Sequence, residues 1–274
     1  MANLLAMSLL QKITSRDNDR IKNARRVRDG RVGGKIFLEG LRLIGEAAKS
    51  RTQIDSLFVT DDVLDQLDEN ELASWLRPER IYHVPDSILQ SIADTNTSQG
   101  IIAIADPPPS GPELFEDVHT RTIPVVIFLN QINNPSNLGA IMRTAEAAGV
   151  AGVIVSAGSA DVFSPKALLA SMGSSLRLPV WVDVDFDDAI RWASAKRLRT
   201  VAADIRASRS YASVDWQIPR ILVLGSEAHG LDESMLAKIN EVVLIPMEKD
   251  VESLNLAVAC GVILFEARRR AADR

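Results

Sequence analysis

The sequence predicts an α/β protein of two domains, the second of which is built on a parallel β-sheet. Apolar segments of strand length recur along the chain, and several are followed by a loop and a helix, which is the pattern of βαβ units. A proline-rich stretch, D-P-P-P-S-G-P from Asp106, can continue neither a helix nor a strand. The chain has 274 residues, 46% of them hydrophobic, which is enough for two cores. We therefore predict a first domain at residues 1–105, a linker at 106–120 and a second domain at 121–274.

The first domain alternates between short helices and short strands. Helices are predicted where apolar residues recur every three or four positions, as at Leu41, Ile44 and Ala48. Runs of β-branched or large apolar residues predict the strands. We expect helices at residues 16–28, 41–49, 70–76 and 87–93, and strands at residues 35–38, 57–60, 81–84 and 101–105.

The second domain contains three segments in which a loop and a helix follow an apolar strand. Ser136 or Asn137 can cap the first helix, which Gly149 should end. Pro246 has no N–H and should end the last strand, and Ser253 can cap the final helix. The predicted strands are at residues 125–129, 152–155, 221–224 and 242–245, and the predicted helices are at residues 136–148, 232–239 and 253–270. Successive strands separated by helices predict a parallel sheet.

Positive charge is concentrated near the start of the chain, in what we call the basic segment, residues 12–35. The formal net charge of the protein is −5, whereas this segment contains nine basic and three acidic residues. A basic segment on an acidic body is typical of a localised phosphate-binding face. An exposed helix with solvated charges explains the same pattern about equally well. The basic residues are Lys12, Arg16, Arg20, Lys22, Arg25, Arg26, Arg28, Arg31 and Lys35.

Composition also limits the compartment and the class of protein. Cys260 is the single cysteine, which excludes an internal disulfide and fits a reducing compartment. Its place in an apolar helix indicates a packing residue rather than a nucleophile. No apolar run reaches the length that spans a membrane, and the N-terminus lacks the basic leader of a signal peptide. We expect a cytoplasmic protein with no membrane partner.

Three polar side chains follow strands of the predicted parallel sheet, namely Asn137, Glu227 and Asn255. Ligands bind beyond the carboxyl ends of the strands in such sheets. Taken singly, Asn255 is explained by a bond within a helix cap, and Arg143 by an ion pair with a carboxylate such as Glu227. A purely structural role is a poor explanation for polar residues at all three strand ends, so we expect a binding site there. His229 is expected to be an exposed loop residue.

The same three segments resemble the three motifs of the SpoU (TrmH-type) ribose methyltransferases of the SPOUT superfamily. The matching stretches are N-N-P-S-N-L-G-A-I-M-R-T-A, then L-V-L-G-S-E-A-H-G-L, then I-P-M followed by S-L-N-L-A-V-A. The segment S-P-K-A-L-L-A-S-M-G-S-S-L-R-L-P-V, between the first two motifs, is also similar to the family. Upstream, I-T-S-R-D-N-D-R-I-K, F-L-E-G-L-R-L-I-G-E-A and D-T-N-T-S-Q-G-I-I-A-I resemble the family's L30e-like substrate-binding domain. Asn133 stands where many relatives have aspartate, a change that we expect to affect loop hydrogen bonds more than chemistry.

The resemblance implies a deep trefoil knot in the second domain and S-adenosylmethionine as the cofactor. It also implies a homodimer, with the final helix and the helix of the first motif in the interface. No metal is expected, because the methyl group of a sulfonium is already activated. By resemblance, the loops that hold the cofactor contain Leu224, Gly225, Ile245, Pro246, Met247, Ser253 and Leu254.

The resemblance further implies transfer of a methyl group to a ribose 2′-hydroxyl of RNA. Arg143 matches the family's essential arginine, and because guanidinium stays protonated we interpret it as an electrostatic stabiliser that also holds an RNA phosphate. The remaining catalytic candidates would orient Arg143, the ribose and the methionine moiety. They are Asn137, Glu227, Ser253 and Asn255.

The first domain resembles the arrangement that the family uses with ribosomal RNA, and this resemblance favours ribosomal RNA over transfer RNA as the substrate. Two alternatives remain: a base methyltransferase of the same superfamily, and a non-catalytic RNA-binding assembly factor. The arginine in the first motif favours the ribose reaction, and the presence of Asn137, Arg143 and Asn255 disfavours a protein that has lost catalysis. A nicotinamide enzyme is disfavoured because no G-x-G-x-x-G follows a strand.

Overall fold

The protein folds into two compact units in a computed structural model that describes residues 10–50, 52–67, 75, 77–249 and 251–272. Unit 1 comprises Met1–Pro108 and Phe163–Leu176, and unit 2 comprises Pro109–Val162 and Arg177–Arg274. The predicted helix at 70–76 lies outside the described residues, except for Trp75.

Unit 1 contains a five-stranded mixed sheet in the order β1-β4-β3-β5-β2, with helices packed against it. Strand β5 runs antiparallel to both β2 and β3, and the other pairs are parallel. Its strands are β1 Gln11–Lys12, β2 Ile36–Glu39, β3 Ile54–Val59, β4 Ile81–His83 and β5 Ile101–Ala105. Its helices are α1 Asp19–Arg28, α2 Leu41–Lys49, α3 Asp61–Gln66 and α4 Asp86–Ile92, and a 3₁₀ turn lies at Pro78–Arg80. Where the structure describes these elements, the predicted first domain has the expected α/β character.

Part of the basic segment holds unit 1 together. Three of its arginines donate to backbone carbonyls in or just after α4: Arg16 to Ser87 (3.1 Å), Arg25 to Ser91 (3.2 Å) and Arg28 to Ala93 (3.0 Å). Arg25 also donates to the Ser91 hydroxyl, at 2.8 Å. The Ser91 and Ala93 carbonyls lie at the C-terminal end of α4, where carbonyl groups lack intrahelical partners, so Arg25 and Arg28 satisfy acceptors there. These three arginines therefore have structural roles. Arg20, which lies over the Tyr82 ring, and Lys35, which pairs with Asp106 at 2.7 Å, are also engaged within the unit.

Unit 2 is built on a six-stranded sheet in the order β11-β9-β10-β6-β7-β8, and every pair in it is parallel. The prediction of a parallel sheet is confirmed. The strands are β6 Val125–Leu129, β7 Gly152–Ser156, β8 Val180–Val184, β9 Arg199–Ala203, β10 Arg220–Leu224 and β11 Glu241–Val243. The helices of unit 2 are α5 Pro135–Ala148, α7 Phe186–Ala195, α8 Glu233–Leu236 and α9 Leu256–Ala272. Helix α6, Pro165–Ser171, lies between α5 and α7 in the sequence but belongs to unit 1.

The centre of this sheet consists of strands that are buried along their whole length. All five residues of β6, β7 and β10 are buried, as expected of parallel strands covered on both faces. Phe128 of β6 contacts the ring of Phe186 edge-on, with the ring centroids 5.9 Å apart. This core fixes the strands whose carboxyl ends carry the candidate site residues.

The short helix α6 and the 3₁₀ turn at Ser174–Leu176 belong to unit 1, although they lie between two strands of unit 2 in the sequence. Helix α6 packs near β2, the edge strand of the unit 1 sheet. Ala167 and Leu168 are fully buried there. Unit 1 is therefore discontinuous in sequence. The prediction of a single boundary near residue 106 does not account for this second segment.

The predicted linker at 106–120 divides between the units instead of acting as a spacer. Unit 1 ends at Pro108, and residues from Pro109 onward belong to unit 2. Two 3₁₀ turns, Pro112–Phe115 and Val118–Thr120, place the Phe115 and Val118 side chains fully inside the unit 2 core. The physical reason is the free energy of burying apolar surface, which favours these two side chains inside the core over an extended linker exposed to water.

The last strand is shorter than predicted. Strand β11 ends at Val243, two residues before the predicted end at 245. Leu244 instead exchanges hydrogen bonds with the loop after β9, donating to the Arg209 carbonyl (2.8 Å) and accepting from the Tyr211 amide (2.9 Å). A change of backbone partner, rather than Pro246, ends the strand.

Replacing Arg25 by alanine should lower the free energy of unfolding by about 1–3 kcal/mol, because the carbonyl and hydroxyl of Ser91 lose a charged donor. Arg26→Ala is the matched control: Arg26 is exposed and its side chain has no partner among the described residues, so a change within about 0.5 kcal/mol is expected. Urea unfolding of both variants measures the difference. Equal stability of the two would contradict a structural role for Arg25.

Candidate active site

Three predicted site residues from separate segments meet at the carboxyl end of the unit 2 sheet. The Asn255 side-chain amide donates to Asn137 Oδ1 at 3.1 Å, and the Asn137 amide donates to Glu227 Oε1 at 3.0 Å. The backbone amide of Asn133 points to Glu227 Oε2 at 3.4 Å. These residues follow β6, β10 and β11, so the site joins the loops of all three motifs.

The direction of this chain of hydrogen bonds is fixed by the start of α9. Asn255 Oδ1 accepts from the amides of Ala257 (2.9 Å) and Val258 (3.3 Å), which makes Asn255 the N-cap of the helix. Because its oxygen is used by the cap, Asn255 can only donate to Asn137. Asn137 then presents its oxygen to Asn255 and its amide hydrogens to Glu227, so the Glu227 carboxylate acts as an acceptor.

Two predicted helix caps were wrong. Asn255, rather than Ser253, caps α9, and its side chain also reaches Asn137 in a second segment. Helix α5 is capped by Asn134, whose Oδ1 accepts from the Ser136 amide at 2.9 Å, rather than by Ser136 or Asn137. That cap leaves the Asn137 side chain available for Glu227. Gly149 ends α5 with a left-handed φ of 85°, as predicted.

A cavity of about 690 Å³ lies beside these three residues. All of its lining residues belong to unit 2, and Asn137, Glu227, Ser253 and Asn255 are among them. The six residues predicted to hold a cofactor also line it: Leu224, Gly225, Ile245, Met247, Ser253 and Leu254. His229 lines the same cavity from an exposed loop position.

Gly225 allows the tight loop that forms one side of the cavity. A Cβ atom at Gly225 would lie 2.3 Å from the carbonyl carbon of Gly230. The backbone at Gly225 and Gly230 therefore approaches more closely than a side chain at residue 225 would permit. Gly230 has a φ of 65°, and its amide donates to the Ser226 carbonyl at 2.9 Å. A ligand in the cavity would therefore face backbone groups of a closed loop.

Sequence reasoning missed a further group of cavity residues in the turn after β9, namely Asp204, Ile205 and Arg206. Asp204 accepts hydrogen bonds from Arg206, and these hold the pKa of its carboxyl below the ordinary value although burial acts in the opposite direction. The apolar run of β9 could have indicated the strand. Nothing in the sequence spacing indicates that the turn after it reaches the other loops.

Arg143 does not reach this cavity in the structure. It is exposed on α5 and makes no hydrogen bond or ion pair with any described residue, so the ion pair with Glu227 considered above is absent. The reason is helical geometry: six residues after Asn137, at about 100° per residue, Arg143 points roughly 120° away around the helix axis. Any role in catalysis requires it to meet a ligand or another chain at that exposed face.

Cys260 lies in the first half of α9 and is fully buried. Burial raises the pKa of the Cys260 thiol to about 12, so this group stays protonated and packs as an apolar side chain. This placement agrees with the prediction of a packing residue.

A family sequence profile shows which protein family the chain belongs to. The sequence profile described as the SpoU rRNA Methylase family matches residues 124–265, more than half of the chain. The chain belongs to the SpoU rRNA methylase family. The profile of an MRM3-like substrate binding domain matches residues 18–103, upstream of the methylase region. The predicted family is confirmed.

Several relatives align with nearly all of the chain. An uncharacterised tRNA/rRNA methyltransferase of Synechocystis is 31% identical, over 95% of this chain and 94% of its own. The Bacillus subtilis 23S rRNA (guanosine(2553)-2′-O)-methyltransferase RlmP is 25% identical, over 94% of this chain and 100% of its own. A crystal structure of an AdoMet-bound rRNA methyltransferase from Sinorhizobium meliloti aligns with a TM-score of 0.83 and 28% identity, covering 95% of this chain and 98% of that one.

In the part of the chain that is described, no helix is long and apolar enough to cross a membrane. The same residues include no group of three or more histidine, cysteine, aspartate or glutamate side chains that could hold a metal ion.

Asn255→Ala should lower the free energy of unfolding by about 1–2 kcal/mol, because α9 loses its N-cap. Asn255→Asp keeps an acceptor for the helix amides and places a negative charge at the helix N-terminus, so it should recover most of that loss. Thermal and urea unfolding would test the pair. If both variants were equally destabilised, the cap would not be the main contribution of Asn255 to stability.

Proposed function

We propose that the protein transfers the methyl group of S-adenosylmethionine to a ribose 2′-hydroxyl of ribosomal RNA. The observation that carries this proposal is the hydrogen-bonded chain of Asn255, Asn137 and Glu227 beside a cavity lined by the loops of all three SpoU motifs. Membership of the SpoU rRNA methylase family and the 2′-O-methyltransferase named among the relatives support the reaction class.

The cavity suits S-adenosylmethionine in size and in chemistry. Its volume of about 690 Å³ lies within the usual range of roughly 300–1,000 Å³ for ligand pockets. Because Gly225 lies close to Gly230 and has no side chain, backbone groups form part of the cavity wall. Leu224, Ile245 and Leu254 supply apolar surface. Ser253 and Met247 complete the set that would hold the cofactor. When bound, the cofactor supplies a methyl group on a positively charged sulfonium.

The residues of the chain would contribute positioning and electrostatics. Asn137 and Glu227, held by Asn255 and by each other, are oriented before substrate arrives, which reduces the entropy cost of aligning the ribose oxygen. Ser253 lies two residues before the α9 cap and offers a hydroxyl to the same cavity. Arg143 would stabilise the developing oxyanion and hold an RNA phosphate through its guanidinium.

A homodimer would bring the exposed face of α5 into use. Val258 and Phe265, two helical turns apart on α9, are 52% and 49% exposed, an apolar stripe that a second copy would cover. Helix α9 packs on α5, and Arg268 donates to the Ala148 carbonyl at 3.0 Å, so the two helices present one surface. Arg143 is also exposed, on α5, which supports a dimer in which it contacts the site or the RNA of the assembly.

Three finer features remain part of the proposal. The trefoil knot rests on family membership and on the resemblance of the fold to solved SpoU methyltransferases. A cytoplasmic location rests on the single, buried Cys260 and a reducing compartment. The substrate is ribosomal RNA rather than transfer RNA, which the name of the Bacillus relative supports, whereas the Synechocystis relative is named for both.

Incubating the purified protein with radiolabelled S-adenosylmethionine and unmodified ribosomal RNA should place label on a 2′-O-methylated nucleoside. Arg143→Ala should keep its fold and cofactor affinity but lose about 100-fold or more in turnover, because one stabiliser of the oxyanion is gone. Arg191→Ala, an exposed arginine on α7, is the matched control and should retain activity. Label on a base would favour the base methyltransferase alternative, and near wild-type turnover of Arg143→Ala would refute its role.

RNA binding should depend on the basic residues that have no structural duty. Arg26→Glu combined with Arg31→Glu should weaken RNA binding and reduce the log–log salt slope by up to about 0.7–0.9 per lost phosphate contact. Lys49→Glu with Arg77→Glu makes the same change in charge at exposed positions of unit 1 outside the basic segment, and should have little effect. Filter binding across several salt concentrations distinguishes them, and identical slopes would indicate a merely solvated helix.

A further inference from the structure

The turn after β9 is held rigid by an internal ion pair, which we call the Asp204–Arg206 clasp. The Asp204 side chain is only 6% exposed, and Oδ1 accepts from the Arg206 backbone amide (2.8 Å) and Nε (2.9 Å). Oδ2 accepts from Arg206 Nη2 at 2.7 Å. Three bonds between residues two apart restrain the turn, since one holds the Arg206 backbone amide and two hold its guanidinium group on the Asp204 carboxylate.

The clasp also ties this turn to the two other loops of the cavity. Arg206 Nη2 donates to the Leu231 carbonyl at 2.9 Å, at the end of the loop that contains Gly225 and Glu227. The backbone amide of Asp204 donates to the Val243 carbonyl at 2.9 Å, at the end of β11. The turn, the second motif and the strand before the third motif are thus joined by two residues that nothing in the motif pattern singles out.

Between the two clasp residues, Ile205 is held outward with 64% of its surface exposed, the highest fraction among the large apolar side chains that the structure describes. Its neighbours along the cavity wall include Leu244, Ile245 and Met247. An isoleucine exposed on a rigid turn gains stability only if something apolar covers it. Because Ile205 lines the cavity, a bound ligand is in a position to cover it.

We propose that Asp204 and Arg206 are positioning residues for the cofactor cavity, and that they hold Ile205 as an apolar wall against the nucleoside part of S-adenosylmethionine. This inference rests on the proposed function, since it needs the cofactor to occupy this cavity. The clasp acts on affinity: it keeps the turn in the conformation that accepts the ligand, so that less of the binding free energy is spent on ordering it. Neither clasp residue is required at the reacting atoms.

Calorimetric titration of the full-length protein with S-adenosylhomocysteine provides the test. Arg206→Ala should raise the Kd about tenfold, the result if the free turn adopts the binding conformation about one tenth of the time. Asp204→Ala should also raise the Kd severalfold, because it removes the acceptor of all three bonds while leaving the Arg206 charge in place. Ile205→Ala should weaken binding without altering the clasp.

Arg209→Ala is the matched control. Arg209 lies three residues further along and makes a comparable set of bonds, to Glu241 (2.6 Å) and to the side chain and carbonyl of Ser213 (2.9 Å each), but it does not line the cavity. Its Kd should stay within about twofold of the wild type, a free-energy change under about 0.4 kcal/mol. Thermal unfolding without ligand confirms that each variant is folded.

The outcomes separate this inference from the function on which it rests. If the wild type does not bind S-adenosylhomocysteine, the proposed cofactor is wrong. If the wild type binds and Arg206→Ala binds equally well, or if Arg209→Ala is weakened as much as Arg206→Ala, the positioning role is overturned. Weakening by Arg206→Ala with unchanged affinity of Asp204→Ala would mean that Arg206 contacts the ligand directly, which also overturns the clasp.

Discussion

The Asn255 oxygen is committed to the first amides of α9, and the polar arrangement of the site depends on that commitment. An amide side chain can present either end to a neighbour, and a chain of amides has no inherent direction. Here the start of the helix fixes the orientation of the Asn255 amide at one end of the chain. At the other end, the Glu227 carboxylate accepts the last hydrogen bond. Three segments far apart in sequence are thereby oriented by the start of a single helix, before any ligand is present.

The two sides of the cavity are stabilised by different means. On one side, neutral amides and a carboxylate connect the first, second and third motifs. On the other side, the Asp204–Arg206 pair joins the turn after β9 to the same second motif and to β11. Glycine completes the arrangement where backbone must meet backbone, at Gly225 and Gly230. The loops that carry function are thus over-determined by hydrogen bonds, as expected where irregular backbone must keep one shape.

Much of the fold was predictable, and the errors have physical causes. Strand β6 and helix α2 have the predicted bounds, since continuous apolar runs and helical spacing are strong local signals. The cap of α5 was misassigned because Asn134, Ser136 and Asn137 can all cap a helix, and only the folded chain decides which of them also meets Glu227. The charge pattern could not separate Arg25, which donates to Ser91, from the exposed Arg26, because that difference depends on a partner 66 residues away. The Asp204–Arg206 clasp escaped for the same reason, since its third partner lies at Leu231.

The discontinuity of unit 1 has a consequence for how the chain is made. The first 108 residues lack part of their own unit, because Ala167 and Leu168 of α6 are buried in contacts that a nascent chain of that length does not yet contain. During synthesis, the complete unit 1 cannot be assembled until residue 176 has left the ribosome, by which time β6, α5 and β7 of unit 2 have already emerged. Folding from the N-terminus therefore cannot proceed strictly one unit at a time. For the same reason, a fragment cut at residue 108 exposes apolar surface around β2, and the complementary fragment carries an α6 without its packing partner.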